Sequence, residues 1–184
     1  GRGANVKIAA RRTAWGKFIN AGQTCVAPDY VFVHEDQRAE FVEAVRLAVK
    51  RFYGDRPYES PDYPRIIHQE GTERLVRLIH SSGQVVVGGE VNVVEKYIAP
   101  TVLIDVEADS PIMREEIFGP ILPVLTYREI DDVIRFVNKR EKPLALYYFG
   151  PEQEAREVLN RTSSGGACVN DTIVHLANPR LPFG

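Results

Sequence analysis

Residues 144–170 read L-A-L-Y-Y-F (144–149), E-Q-E-A-R-E-V-L-N-R (152–161) and G-G-A-C-V-N (165–170). An apolar aromatic run, a helical pattern and a second short apolar run make one strand–helix–strand unit. Strands joined through a helix are expected to run parallel, because an antiparallel pair needs only a tight turn. The same alternation extends upstream. Residues 30–34 (Y-V-F-V-H) are β-branched and aromatic and predict a strand. Asp36 has the chemistry of an N-cap for a helix to about Arg51, with Phe41, Val45, Ala48, Val49 and Phe52 at helical spacing. Residues 70–82 predict another helix, stopped by Gly83. Strands follow at 84–88, 97–106 (interrupted at Pro100) and 120–127, and Pro123 suggests an edge or a bulge for the last. A helix over 128–140 leads into the opening segment.

Near the start, residues 4–19 predict an amphipathic helix. Ile8, Arg11 or Arg12, Trp15 and Ile19 recur three or four apart, so Trp15 and Ile19 share a face. Gly16 weakens this helix and Gly22 suits its stop. Strands alternating with helices of this length predict an α/β fold, a three-layer αβα sandwich with a largely parallel sheet. No repeat or linker divides the chain, so one domain is expected.

The chain has 184 residues, 44% hydrophobic and 26% charged, with net charge −2, an ordinary globular composition. A pI of about 6.1 lacks the basic stripe expected of a nucleic-acid partner. No apolar run approaches the roughly 18 residues that a membrane-spanning helix needs, and G-R-G-A-N at the start is no signal peptide. Cys25 and Cys168 are expected as free thiols in a reducing, cytoplasmic compartment rather than as a disulfide.

Several chemistries have no motif here. There is no G-x-G-x-x-G, Walker A loop or G-x-S-x-G, and His34, His68, His80 and His175 lack metal-ligand spacing, so no metal is expected. Cys25 remains, in F-I-N-A-G-Q-T-C (18–25). Thiolate is the most nucleophilic of the common side chains, and a turn of small residues leaves an electrophile room to approach. The Cys25 N–H in such a turn is also free to stabilise an oxyanion. The alternative is a small buried hydrophobe, which is the expectation for Cys168 between Ala167 and Val169. A second stretch, E-E-I-F-G-P (115–120), sets two carboxylates beside an aromatic ring on a bend. It suits ribose hydroxyls and a flat ring, or else a solvated acidic turn over a core phenylalanine.

N-A-G-Q-T-C, E-E-I-F-G-P, P-L-A-L-Y-Y-F (143–149), S-S-G-G (163–166) and L-P-F-G (181–184) stand in the order found in aldehyde dehydrogenases. The variants A-W-G-K-F (14–18), C-V-A-P-D-Y (25–30) and N-D-T-I-V-H (170–175) make the chain similar to the class 3 branch, which includes fatty, aromatic and coniferyl aldehyde dehydrogenases. This resemblance implies a catalytic nucleophile at Cys25. It also implies a nicotinamide ribose contact at Glu116, a nicotinamide contact at Phe118, and a substrate-pocket wall at Trp15 and Ile19. It implies NAD or NADP as cofactor, a small-molecule aldehyde as substrate, and a homo-oligomeric parent.

The family's activating glutamate (in E-L-G-G-K), its oxyanion asparagine and its dinucleotide loop have no counterpart in these 184 residues, nor does the oligomerisation arm. The resemblance therefore implies a single thiol-bearing catalytic domain over 1–184. The cofactor would be bound mainly by a domain absent from this chain, and the isolated domain would be nearly inactive. A relative that transfers the acyl group to coenzyme A, a non-catalytic interaction role, and redox sensing through Cys25 and Cys168 are the alternatives.

Overall fold

The computed structural model describes residues 1–181 and Phe183. The L-P-F-G landmark thus lies partly outside the described residues. In chain order, helix α1 (Val6–Phe18), strand β1 (Val31–His34) and helix α2 (Arg38–Tyr53) come first. Helix α3 (Gln69–Ser82) leads to β2 (Gln84–Val87), the short β3 (Val91–Asn92) and β4 (Tyr97–Ile98), and β5 (Thr101–Ile104). Strand β6 (Ile121–Tyr127), helix α4 (Ile130–Asn138), strand β7 (Ala145–Tyr148), helix α5 (Glu152–Arg161) and strand β8 (Gly166–Val169) complete the order.

The main sheet runs β1-β6-β5-β2. Strand β1 lies parallel to β6, with Val31 opposite Val124 and His34 opposite Tyr127, and β5 lies parallel to β6, with Thr101 opposite Ile121. Strand β2 pairs antiparallel with β5. Its connection, residues 88–100, carries only the β3–β4 hairpin and no helix, so the chain returns along the neighbouring direction. The sheet is therefore largely parallel with one antiparallel edge. Strands β7 and β8 pair parallel around α5, as their sequence predicts, but as a separate two-stranded sheet.

Strand β6 is central, so the edge position expected from Pro123 is wrong. Pro123 faces Leu103 at the last step of the β5 ladder, and the β1 ladder begins at Val124. The proline occupies the changeover between partners, where its missing N–H interrupts neither ladder's run.

Asp36 is not the α2 cap either. A short 3-10 turn spans Glu35–Gln37, and the Asp36 N–H donates to His34 Nδ1 at 3.3 Å.

Helix α1 starts where Asn5 Oδ1 accepts from the Ile8 N–H at 3.1 Å. Its buried face consists of Val6, Ala9, Ala10, Thr13, Ala14, Gly16, Lys17 and Phe18. The predicted face is the outer one: Ile8 and Ile19 are exposed and Trp15 is half-buried. Small side chains on the inner face let α1 and α2 approach closely, and close packing outweighs the larger apolar residues in setting which side turns inward. Phe18 anchors the end of the helix, fully buried, a burial that stabilises by roughly 1.5–3 kcal/mol. Gly16 has a packing reason that its helix propensity hides. A Cβ there would meet Thr172 Oγ1 at 2.4 Å, so α1 lies directly on the loop after β8.

Candidate active site

The chain leaves α1 through an unusual backbone. Asn20 (φ 53°), Ala21 (φ 50°) and Gly22 (φ 73°) are successively left-handed. Asparagine and glycine tolerate this region, but Ala21 costs about 1–2 kcal/mol there. Gln23 offsets the strain. Its Nε2 donates to the Asn20 carbonyl at 3.1 Å and to the Arg65 carbonyl at 3.1 Å, while its Oε1 accepts from the Ile67 N–H at 3.0 Å. Asn20 Nδ2 returns a bond to the Gln23 carbonyl at 2.9 Å. The run therefore emerges fixed to the segment before α3.

Cys25 follows in a turn closed by the Ala27 N–H donating to the Thr24 carbonyl at 2.9 Å. Its thiol is exposed, and among the described residues its N–H makes no hydrogen bond. On the inner side of the turn, the Tyr147 hydroxyl donates to the Val26 carbonyl at 2.6 Å. Burial pushes the Tyr147 phenol well up, so it stays protonated and remains a donor.

Residues 115–120 are bound to this turn at two points. Gly22 lies against the Gly119 carbonyl so closely that a Cβ would come within 2.2 Å of the oxygen. Four residues beyond the thiol, Asp29 Oδ1 accepts from the Ile117 N–H at 3.0 Å. Phe118 is left-handed (φ 47°) and 42% exposed, which removes the reading of a core phenylalanine. Cys25, Glu116 and Phe118 line one cavity of about 810 Å³, together with Lys17, Asp29 and Tyr147. Trp15 and Ile19 do not line that cavity. Ile19 caps α1 with extended backbone, and the side of α1 facing the cavity carries Val6, Ala9, Thr13 and Lys17.

Lys17 is the residue that the sequence most effectively conceals. It is 1% exposed, and burial lowers its ammonium from 10.5 to about 8, against an opposing pull from Asp29 and then Glu116. Loss of solvent is thus the stronger influence, and near neutral pH a mostly charged amine still faces two carboxylates. Asp29 and Tyr147 are equally hidden: a proline-adjacent aspartate and one tyrosine of a strand carry no pattern that marks them. Cys168 is buried as expected. Its Sγ lies 3.3 Å from His175 Nδ1, and loss of solvent raises the thiol and lowers the imidazole, which keeps both neutral.

Residues 2–184 match the model of the aldehyde dehydrogenase family. The chain belongs to the aldehyde dehydrogenase family. It is 49% identical over 183 residues to 4,4'-diaponeurosporen-aldehyde dehydrogenase of Staphylococcus aureus, covering 98% of this chain and 40% of that protein. It is 50% identical over 179 residues to aldehyde dehydrogenase family 3 member B1 of the mouse, covering 97% of this chain and 38% of the relative. Among solved structures, the substrate-bound state of Staphylococcus aureus AldH superposes with a TM-score of 0.97 at 48% identity. That match covers all of this chain and 41% of the other. The chain thus spans about two-fifths of the length of such aldehyde dehydrogenases, and the class 3 likeness of its sequence accords with the family 3 names among them.

Proposed function

We propose that residues 1–184 are the thiol-bearing catalytic domain of an NAD(P)+-dependent aldehyde dehydrogenase, with the cofactor-binding domain and oligomerisation arm supplied by further sequence. The observation that carries the reading is the exposed Cys25, whose N–H has no partner among the described residues, lining the same cavity as Glu116 and Phe118. Cys25 thiolate adds to the aldehyde carbon, and the carbonyl π pair moves onto oxygen. The Cys25 N–H then donates to that oxyanion, a contribution made in the transition state rather than in the ground state. Collapse of the thiohemiacetal expels a hydride, and hydrolysis of the resulting Cys25 thioester releases the carboxylic acid and the thiol. The activating carboxylate for that water comes from outside residues 1–184.

The residues present fit a nicotinamide cofactor. An aromatic ring held out of the core by a left-handed backbone, beside a solvent-facing carboxylate, suits a flat ring and a vicinal diol. Phe118 would pack on the nicotinamide and Glu116 would accept from ribose hydroxyls. When bound, the nicotinamide supplies the hydride acceptor. Trp15 and Ile19, on the outer face of α1, would form substrate-pocket wall only against side chains contributed by the rest of the parent.

The test compares the parent enzyme, its Cys25→Ala variant and the isolated domain, with an aromatic aldehyde and NAD+ or NADP+. The parent is expected to form the carboxylic acid, and the variant to lose turnover by more than about 10³-fold. The isolated domain is expected to fall by at least the 10²–10⁴-fold that loss of a general base costs. Full activity of the Cys25→Ala parent, or product formation only with added coenzyme A, would overturn the reading.

A further inference from the structure

Arg74, in the middle of α3, reaches the bend at residues 115–120. Its Nη2 donates to the Ile117 carbonyl at 2.5 Å. Its Nη1 lies 3.4 Å from the Glu116 carbonyl and 3.4 Å from the Glu115 carboxylate. The N–H of the same residue 117 is held by Asp29. Both polar groups of Ile117 are therefore fixed by charged side chains from two different parts of the chain, while Ile117 itself is fully buried. Leu75, the next residue of α3, lies directly beneath Gly119.

Between these fixed points stands Phe118 at φ 47°. A bulky L residue persists there only where its surroundings over-determine the backbone. Without the guanidinium fork, the carbonyls of Glu116 and Ile117 lose their donor and the Phe118 peptide is free to return to negative φ. That rotation swings the ring relative to residues 116–117, and the freed carbonyls loosen the backbone that sets the Glu116 carboxylate.

We propose that Arg74 is a positioning residue for the nicotinamide cofactor: through the carbonyls of Glu116 and Ile117 it holds the bend in the conformation that presents Glu116 and Phe118 to the ligand. This rests on the reading of Glu116 and Phe118 as cofactor contacts. Planar, two-pronged donation is what the site uses, so lysine, a single-point donor, is a partial substitute.

The experiment uses the parent enzyme with Arg74→Gln, Arg74→Lys and Glu116→Gln. It measures Kd and KM for NAD+ and NADP+, KM for the aldehyde, and the rate of Cys25 alkylation by iodoacetamide without cofactor. Arg74→Gln is expected to weaken cofactor binding about 10- to 100-fold, the range for a lost charged hydrogen bond. Alkylation and aldehyde KM are expected to stay at the parent's values, with Arg74→Lys intermediate and Glu116→Gln also weakened. If Glu116→Gln weakens the cofactor and Arg74→Gln does not, the Arg74 role alone is overturned. If neither does, the reading of Glu116 fails and the proposal fails with it. A parallel loss of cofactor binding and alkylation rate would make Arg74 merely structural and also overturn it. Should Arg74→Gln fail to fold, Arg74→Lys decides by the same readouts: an unchanged cofactor Kd overturns the proposal.

Discussion

Replacing Lys17 with methionine keeps the length of a side chain that is 1% exposed and removes its charge. The folded protein holds the Lys17 proton only to about pH 8, against 10.5 for an ordinary lysine. Below pH 8 both folded and unfolded chains carry the proton, and the folded state bears the full cost of burying it. Between pH 8 and 10.5 the unfolded chain binds a proton that the folded chain has lost, so stability rises with pH across that window. A shift of this size corresponds to about 3 kcal/mol. Methionine has no such dependence. It also leaves Asp29 and Glu116 without their cation, an offset in absolute stability separate from the slope that Lys17 itself produces between pH 8 and 10.5. The stability of the wild type relative to Lys17→Met is therefore expected to increase by about 3 kcal/mol from neutral pH to pH 10.5. Urea denaturation of both proteins at a series of pH values measures the difference, and the tyrosines and exposed lysines common to both cancel. A flat difference, or one that falls with pH, would refute the assignment of burial as the stronger influence on Lys17.

Gly22→Ala adds about 1–2 kcal/mol of backbone cost and sets a methyl against the Gly119 carbonyl, so the thiol turn must move away from residues 115–120. Turnover by the parent is expected to fall on the order of 10²-fold, while iodoacetamide still alkylates Cys25; unchanged turnover would show that this spacing is not needed. Tyr147→Phe removes the donor to the Val26 carbonyl and is expected to cost about 1–3 kcal/mol in chemical denaturation, with no loss if solvent replaces the phenol.

Much of the architecture is legible because periodicity and punctuation agree. Helix α5 occupies the predicted residues 152–161, since its charged pattern lies between Pro151 and a Ser-Ser-Gly-Gly run. The span of helix α1 is legible along the chain, but which of its sides turns inward is not. Periodicity weighs apolar size, whereas small residues win the inner face by allowing close approach, Gly16 to Thr172 and the alanines to their packed neighbours. Pro123 misleads in a similar way: a missing N–H forbids an unbroken ladder, not a central position where one ladder hands over to another. Motif order singles out Cys25, Glu116 and Phe118, and all three line one cavity. Lys17, Asp29 and Arg74 act through partners 12 to 99 residues distant in sequence or through burial, and no local pattern encodes either.

The Gly22–Gly119 contact also bears on engineering. At Gly22 and Gly119 the thiol turn and the bend that carries Glu116 and Phe118 meet main chain to main chain, a spacing fixed like a gauge block, while Asp29 ties the bend at Ile117. Libraries that vary the cavity's other walls can reshape the space offered to an aldehyde without altering this gap. Transplanting either loop into a new scaffold, by contrast, requires carrying both, because neither holds the dimension by itself.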